Sequence, residues 1–143
     1  RDMGISSDNS VAITGTVSGN SISFGSAELI SSVTSQPEHI LYDPVTEDII
    51  IFTQNIDQPK KGQVVVTSVS GDAISFGDPQ EFTALSTSHV SATCEPASGK
   101  VIVAFNGNDG VSSVGTALTL GISPNVFAGT AISSTELNIK DTV

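Results

Sequence analysis

The sequence predicts an all-β protein built from antiparallel hairpin repeats of about 52 residues, and three observations carry that expectation. The stretch VSGNSISFG at 17–25 returns as VSGDAISFG at 69–77, with seven of nine residues identical and a spacing of 52 (69 − 17). Apolar residues come in short alternating or continuous runs bounded by Gly, Pro, Asn and Asp, which is how strands and tight turns are written. Ala, Leu, Lys and Glu never gather into a 3.6-residue stripe, so no segment favours a helix. At 143 residues the chain is one domain by length, long enough for a real core.

Taken in order, residues 1–10 read as a loop. Residues 11–17 and 21–30 form a first hairpin around Ser18-Gly19-Asn20. Gly before Asn suits a two-residue type II′ turn, in which the glycine alone takes positive φ. In the second arm Ile22 and Phe24 share one face and Ser21 and Ser23 the other, which predicts a core side and a solvent side. A second hairpin, about 39–54, turns at Asp43-Pro44-Val45-Thr46-Glu47. Its counterpart one period on is Glu95-Pro96-Ala97-Ser98-Gly99, where Pro presets φ and Gly suits a left-handed position.

The strands leaving those turns, 49–52 and 101–105, are continuous apolar runs, which predicts inner strands covered on both faces. Phe52 and Phe105 are 53 apart where the prolines are 52 apart, which predicts a one-residue slip or bulge between the copies. Polar loops follow at 55–62 and 106–115. Residues 63–69 and 73–82 repeat the first hairpin, 89–105 make a fourth, and 116–132, with Pro124-Asn125 near its turn, a fifth. Leu137 and Ile139 alternate in a closing strand, 135–143. The division is one all-β domain, 1–143, with repeat 1 at 11–62, repeat 2 at 63–115 and a degenerate half-repeat or cap at 116–143.

Two hairpins per period are four antiparallel strands, the content of one β-propeller blade. A propeller closes with four or more blades, and two and a half units fall short of that. Three arrangements follow: a portion of a longer array, closure by assembly with copies of itself, or a two-layer β-sandwich.

Composition restricts function. Fifteen acidic residues against five basic ones give a net charge of −10, and only Lys60 and Lys61 adjoin, so no cationic cluster for nucleic acid is present in the sequence. No run of 18 apolar residues or signal-like segment occurs, so no membrane insertion is expected, and the start at Arg1 without methionine points to chain cleaved or left out upstream. Cys94 is the only cysteine, which excludes an intrachain disulfide and reads as a small buried side chain. NGNDG at 106–110 only loosely echoes a calcium loop. His39 and His89 stand at corresponding places, 50 apart, and read as strand-end residues inherited by duplication rather than metal ligands. Asp43, Glu47 and Asp48 read as turn and surface carboxylates rather than a glycosidase pair. No G-x-S-x-G elbow sets one serine apart. With no Trp and one Tyr, the usual stacking platform for sugars is missing. No catalytic residue, cofactor or metal is expected.

The motif S-G-x-x-I-S-F-G, with GTVSGNSISFG at 15–25, Tyr42-Asp43 ahead of 49–52, and 100–105 (KVIVAF), resembles a repeat of virion structural and tail-fibre-like proteins of marine bacteriophages of the cyanophage or pelagiphage type. The ending VFAGTAISSTELNIK at 126–140 is similar to the C-terminal ending of those proteins, which implies that Val143 lies near a natural terminus. Cys94-Glu95 replaces Tyr-Asp in the second copy, which counts against a shared role for that turn. The resemblance implies a non-enzymatic virion protein, a tail-fibre or surface-appendage module presenting loops for host attachment or capsid decoration. Its expected partners are other virion proteins, copies of itself and a host cell-surface receptor or glycan. The alternative is a secreted bacterial carbohydrate-binding module or adhesin, and a hydrolase with a site between subunits comes third.

Overall fold

A computed structural model describes residues 10–30, 35–57, 59–121 and 133–138, and every regular element among them is a β-strand. The strands are β1 (Val11–Ser18), β2 (Ser21–Leu29), β3 (Ser35–Tyr42), β4 (Ile49–Asn55), β5 (Lys61–Ser70), β6 (Ala73–Phe76), β7 (Gln80–Glu95), β8 (Lys100–Asn108), β9 (Ser113–Gly121) and β10 (Ser133–Asn138). All pairings are antiparallel. β1 and β2 form a two-stranded sheet, and the others run β10-β9-β8-β7-β5-β4-β3 with β6 paired to the end of β5.

The long strand β7 divides that second sheet. Its start pairs with β5 (Gln63 opposite Glu81) and from Ser86 onward it pairs with β8 (Ser86 opposite Asn108, Ser91 opposite Ala104), with a register shift across 82–85 where it passes from one partner to the other; a second shift, beside His89 with its φ of 55°, lies inside the β7–β8 ladder. An extra residue on one side of a ladder bends the strand, and here the bend lays one half-sheet over the other. Three layers result: the β1–β2 hairpin, the meander β3-β4-β5-β6, and the meander β7-β8-β9-β10.

Between the second and third layers lies the larger core. Ile50, Phe52 and Val64 from one side meet Val101, Val103, Phe105, Leu118 and Leu120 from the other. Phe82 stands edge-on to both Phe52 (centroids 5.7 Å apart) and Phe105 (5.4 Å), a geometry that aromatic quadrupoles favour. Ile51 and Val65, on the opposite face of the second layer, pack with Ala12 and Ile30 of the first. The expectation for 49–52 therefore holds, because β4 is covered from both sides.

For 101–105 it does not. Val101, Val103 and Phe105 are buried, but Ile102 is 45% exposed and Ala104 is exposed too, because no described residue covers the outer face of the third layer. The first hairpin is corrected for the same reason: Ile22 and Phe24 do share a face, but that face is open, with Phe24 73% exposed. Phe76, its counterpart, packs against the smaller core under the hairpin.

The pairing registers repeat with a period of 52. Gly15, Thr16, Val17 and Ser18 stand opposite Phe24, Ser23, Ile22 and Ser21, and Thr67, Ser68, Val69 and Ser70 stand opposite Phe76, Ser75, Ile74 and Ala73. Tyr42 opposite Ile49 recurs as Cys94 opposite Val101, and His39 opposite Phe52 as Ser91 opposite Ala104. Two corrections follow. The structural counterpart of Phe105 is Thr53, since Phe52 and Phe105 lie on opposite faces of their layers and meet in the common core. The one-residue slip lies in the loop after β8, because Leu118 opposite Val103 takes the place of Val65 opposite Ile51, 53 positions earlier. The return strand of the fifth hairpin is β10 rather than a segment ending at Ile132, and Pro124-Asn125 lies outside the described residues.

Candidate functional site

Turns at the ends of the hairpins order the exposed loops. Gly19 and Gly71 take φ of 59° and 61°, while Asn20 and Asp72 stay negative, as a type II′ turn requires. In the turn after β3, Asp43 is fully buried. Its Oδ1 accepts the Val45 amide at 2.8 Å and its Oδ2 the Thr46 hydroxyl at 3.2 Å. One period on, Glu95 Oε1 accepts the Ala97 amide at 3.0 Å, and the bond from the Ser98 side chain, followed by this one, holds its carboxyl below the usual range. The substitution at 94–95 thus keeps an acceptor for the turn amide.

The two turns lie side by side. Cys94 Sγ is 3.6 Å from Asp43 Oδ1, and burial, followed by the charge of Asp43, pushes the thiol's pKa up, away from a reactive thiolate. Cys94 is half-buried beside the larger core, so it is partly wetted rather than enclosed.

The loop after β8 is tied by its own side chains. Asp109 Oδ1 accepts the amides of Val111 and Ser112, each at 2.8 Å, and these bonds lower its pKa. Asn108 accepts from the Gly110 amide and donates to Ser113 Oγ. Asn108 Oδ1 and Asp109 Oδ1 are engaged inside the loop, and its tip carries Val111 at 94% exposure. Nothing in the sequence pattern marks Val111, because an isolated valine in a polar loop has no periodicity to read.

His39 and His89 are not brought together. His39 is half-buried in β3, 6.5 Å from the Phe52 ring, and in the repeated register its counterpart is Ser91; His89 is exposed at the bulge in the β7–β8 ladder, against Ser88 Oγ. Among the described residues no group of three or more His, Cys, Asp or Glu lies close enough to hold a metal ion. Lys61 is bound to Glu81 at 2.8 Å across the β5–β7 pair.

Two concave regions flank β1. One of about 310 Å³ lies between the hairpin and the second layer, lined by Ala12, Thr14, Ile40, Ile51, Thr67 and Ile74 among others. Thr67 is buried there with its hydroxyl unpartnered. The other lies beside Val11, Ile30 and His39. Neither collects a nucleophile with a base or an acid pair. Comparison with protein-family models, curated proteins and solved structures returned no match.

Proposed function

We propose that the chain is a non-enzymatic structural module of a bacteriophage virion, part of a tail fibre or surface appendage, which holds loops rigidly for host attachment or capsid decoration. The reading starts from the resemblance of the repeat at 15–25 and 69–77 to virion proteins of marine phages. One structural observation supports it above others: equal hairpin registers recur from layer to layer, and the turns at Asp43, Glu95 and Asp109 are tied by their own side chains. Such a stack transmits load and fixes the position of its tips. Labelling of purified virions with an antibody to this chain, followed by electron microscopy, tests the proposal. Label on the particle is the expected result, and label confined to the cytoplasm of infected cells refutes it.

The second reading is a secreted bacterial carbohydrate-binding module or adhesin, favoured by the pre-ordered loop at Asn108–Ser113 with its exposed Val111. A glycan array probed with the purified chain separates the two, since sugar binding without virion attachment supports the adhesin.

A further inference from the structure

The internal repetition indicates what covers the open end faces of the stack. Call the face of each layer that looks toward the chain's start its front, and the opposite one its back. Inside the chain the front of the second layer, with Val65, Val69, Ile74 and Phe76, is met by the back of the hairpin, where Ala12 packs into the shared core and Thr14 Oγ1 donates to the Asp72 carbonyl at 3.1 Å.

Both halves of that contact recur on the first and last described layers, where no described residue covers them. By the pairing registers the front of the hairpin carries Ile13, Val17, Ile22 and Phe24 in the places of Val65, Val69, Ile74 and Phe76. Three of the four are the same residue type. The back of the third layer carries Ala117 and Thr119 in the places of Ala12 and Thr14, identical residues, whereas the interior second layer has Val64 and Val66 there. The small alanine and threonine thus recur on the back of the last described layer, and the apolar set on the front of the first.

Exposure and charge agree. Ile13, Val17, Ile22 and Phe24 are 52%, 70%, 57% and 73% exposed, an apolar patch on a chain of net charge −10 with no charged residue among them. Ser91, Thr93, Ile102 and Ala104, beside Ala117 and Thr119, make an uncharged patch on the opposite face, bordered by the cross-strand pair Glu95 and Lys100. Open patches of this kind mark interaction sites.

We infer that a second copy of this chain covers the front of the hairpin with the back of its third layer, in the geometry by which the hairpin already covers the second layer. Ala117 packs over the neighbour's Ile13 as Ala12 packs into the cluster that holds Val65, and Thr119 donates to the neighbour's Asn20 carbonyl as Thr14 does to the Asp72 carbonyl. The contact joins unlike faces, so it propagates head to tail and ends in a closed ring or a filament according to the twist per copy. This inference stands independently of the virion reading.

The test uses the purified chain and two variants, each disabled at one end only: Phe24→Asp on the front and Ala104→Arg on the back. Both positions are exposed, and far-UV circular dichroism checks that both variants fold. Molar mass by light scattering, from micromolar to about 1 mM, the range in which weak contacts populate, is expected to rise above one chain for the natural protein. Each variant alone is expected to stay monomeric. Mixed in equal amounts they are expected to form a dimer and nothing larger, because one intact front then meets one intact back. A natural chain that remains monomeric throughout overturns the inference, and so do variants that still assemble. A mixture that fails to pair overturns it as well, since an intact front and an intact back would then have been together without binding.

Discussion

Replacing Gly62 with alanine tests how the bend of β7 holds the layers together. A Cβ there would meet the Phe82 ring end-on, with Cε1 at 2.7 Å, and Thr87 Cγ2 at 2.9 Å. Phe82 cannot swing away, because Phe52 and Phe105 stand edge-on to it on either side. Over-packing of a filled core costs about 1–3 kcal/mol, and the stiffer unfolded chain returns about 0.4–1 kcal/mol, so Gly62→Ala is expected to lose about 1–2 kcal/mol. Phe82→Leu gives up two aromatic pairs at about 0.5–1.5 kcal/mol each, a loss of about 2 kcal/mol. Leucine is shorter than the ring, so the double variant is expected to cost about 1 kcal/mol less than the sum of the two singles, with the Thr87 contact left over. Urea unfolding followed by far-UV circular dichroism measures all four corners of this cycle. A Gly62→Ala protein within about 0.3 kcal/mol of the natural one, or strictly additive losses, would refute the packing described for the junction.

At the left-handed turn position Glu47 holds φ of 61° where its counterpart Gly99 holds 65°. Glu47→Gly is therefore expected to raise stability by about 0.5–1 kcal/mol and Gly99→Ala to lower it by about 1 kcal/mol, both read by denaturant unfolding. Asp43→Ala removes the acceptor of the Val45 amide in a buried turn and is expected to cost about 1–3 kcal/mol by the same measurement. Cys94, whose pKa is raised by burial and by Asp43, is expected to alkylate more slowly at neutral pH than an unfolded-chain cysteine and to speed up in Asp43→Asn. The Asp109 carboxyl is depressed by its loop amides, so its contribution to loop order is complete above the ordinary aspartate range and disappears as pH falls through the lowered value. The amide resonances of Val111 and Ser112 are expected to move in that acidic window, and no movement there would contradict the loop bonds.

The strand–turn content was legible because it is local. Gly19 and Gly71 announce their turns, and the period of 52 locates the hairpins before any coordinate is consulted. Which side of each hairpin would be covered was not legible, because that depends on whether another layer follows. Phe24 and Phe76 occupy equivalent positions in equivalent hairpins, yet one is bare and the other half-buried. Alternation states that two faces differ and does not say what lies opposite either. The pairing of His39 with His89 failed for a related reason: a count of residues ignores bulges, and the ladder places Ser91 where His39 stands. The loop that carries Val111 had no sequence signature beyond its glycines, since its stiffness comes from hydrogen bonds between side chains and amides a few residues apart.

Because β7 passes from one layer into the next without a break, and Ser88 opposite Asn106 repeats Gln36 opposite Gln54, recombination between the two copies has a narrow grammar. Loss or gain of 52 residues within 36–106 splices one ladder onto its equal, keeping bulge, turn and facing intact. An exchange of 51 or 53 there inverts the inside and outside of every strand downstream until a loop absorbs the error. The gene can therefore change the reach of its product only in whole steps, and the extra residue tolerated in the loop after β8 shows where such an error is harmlessly stored.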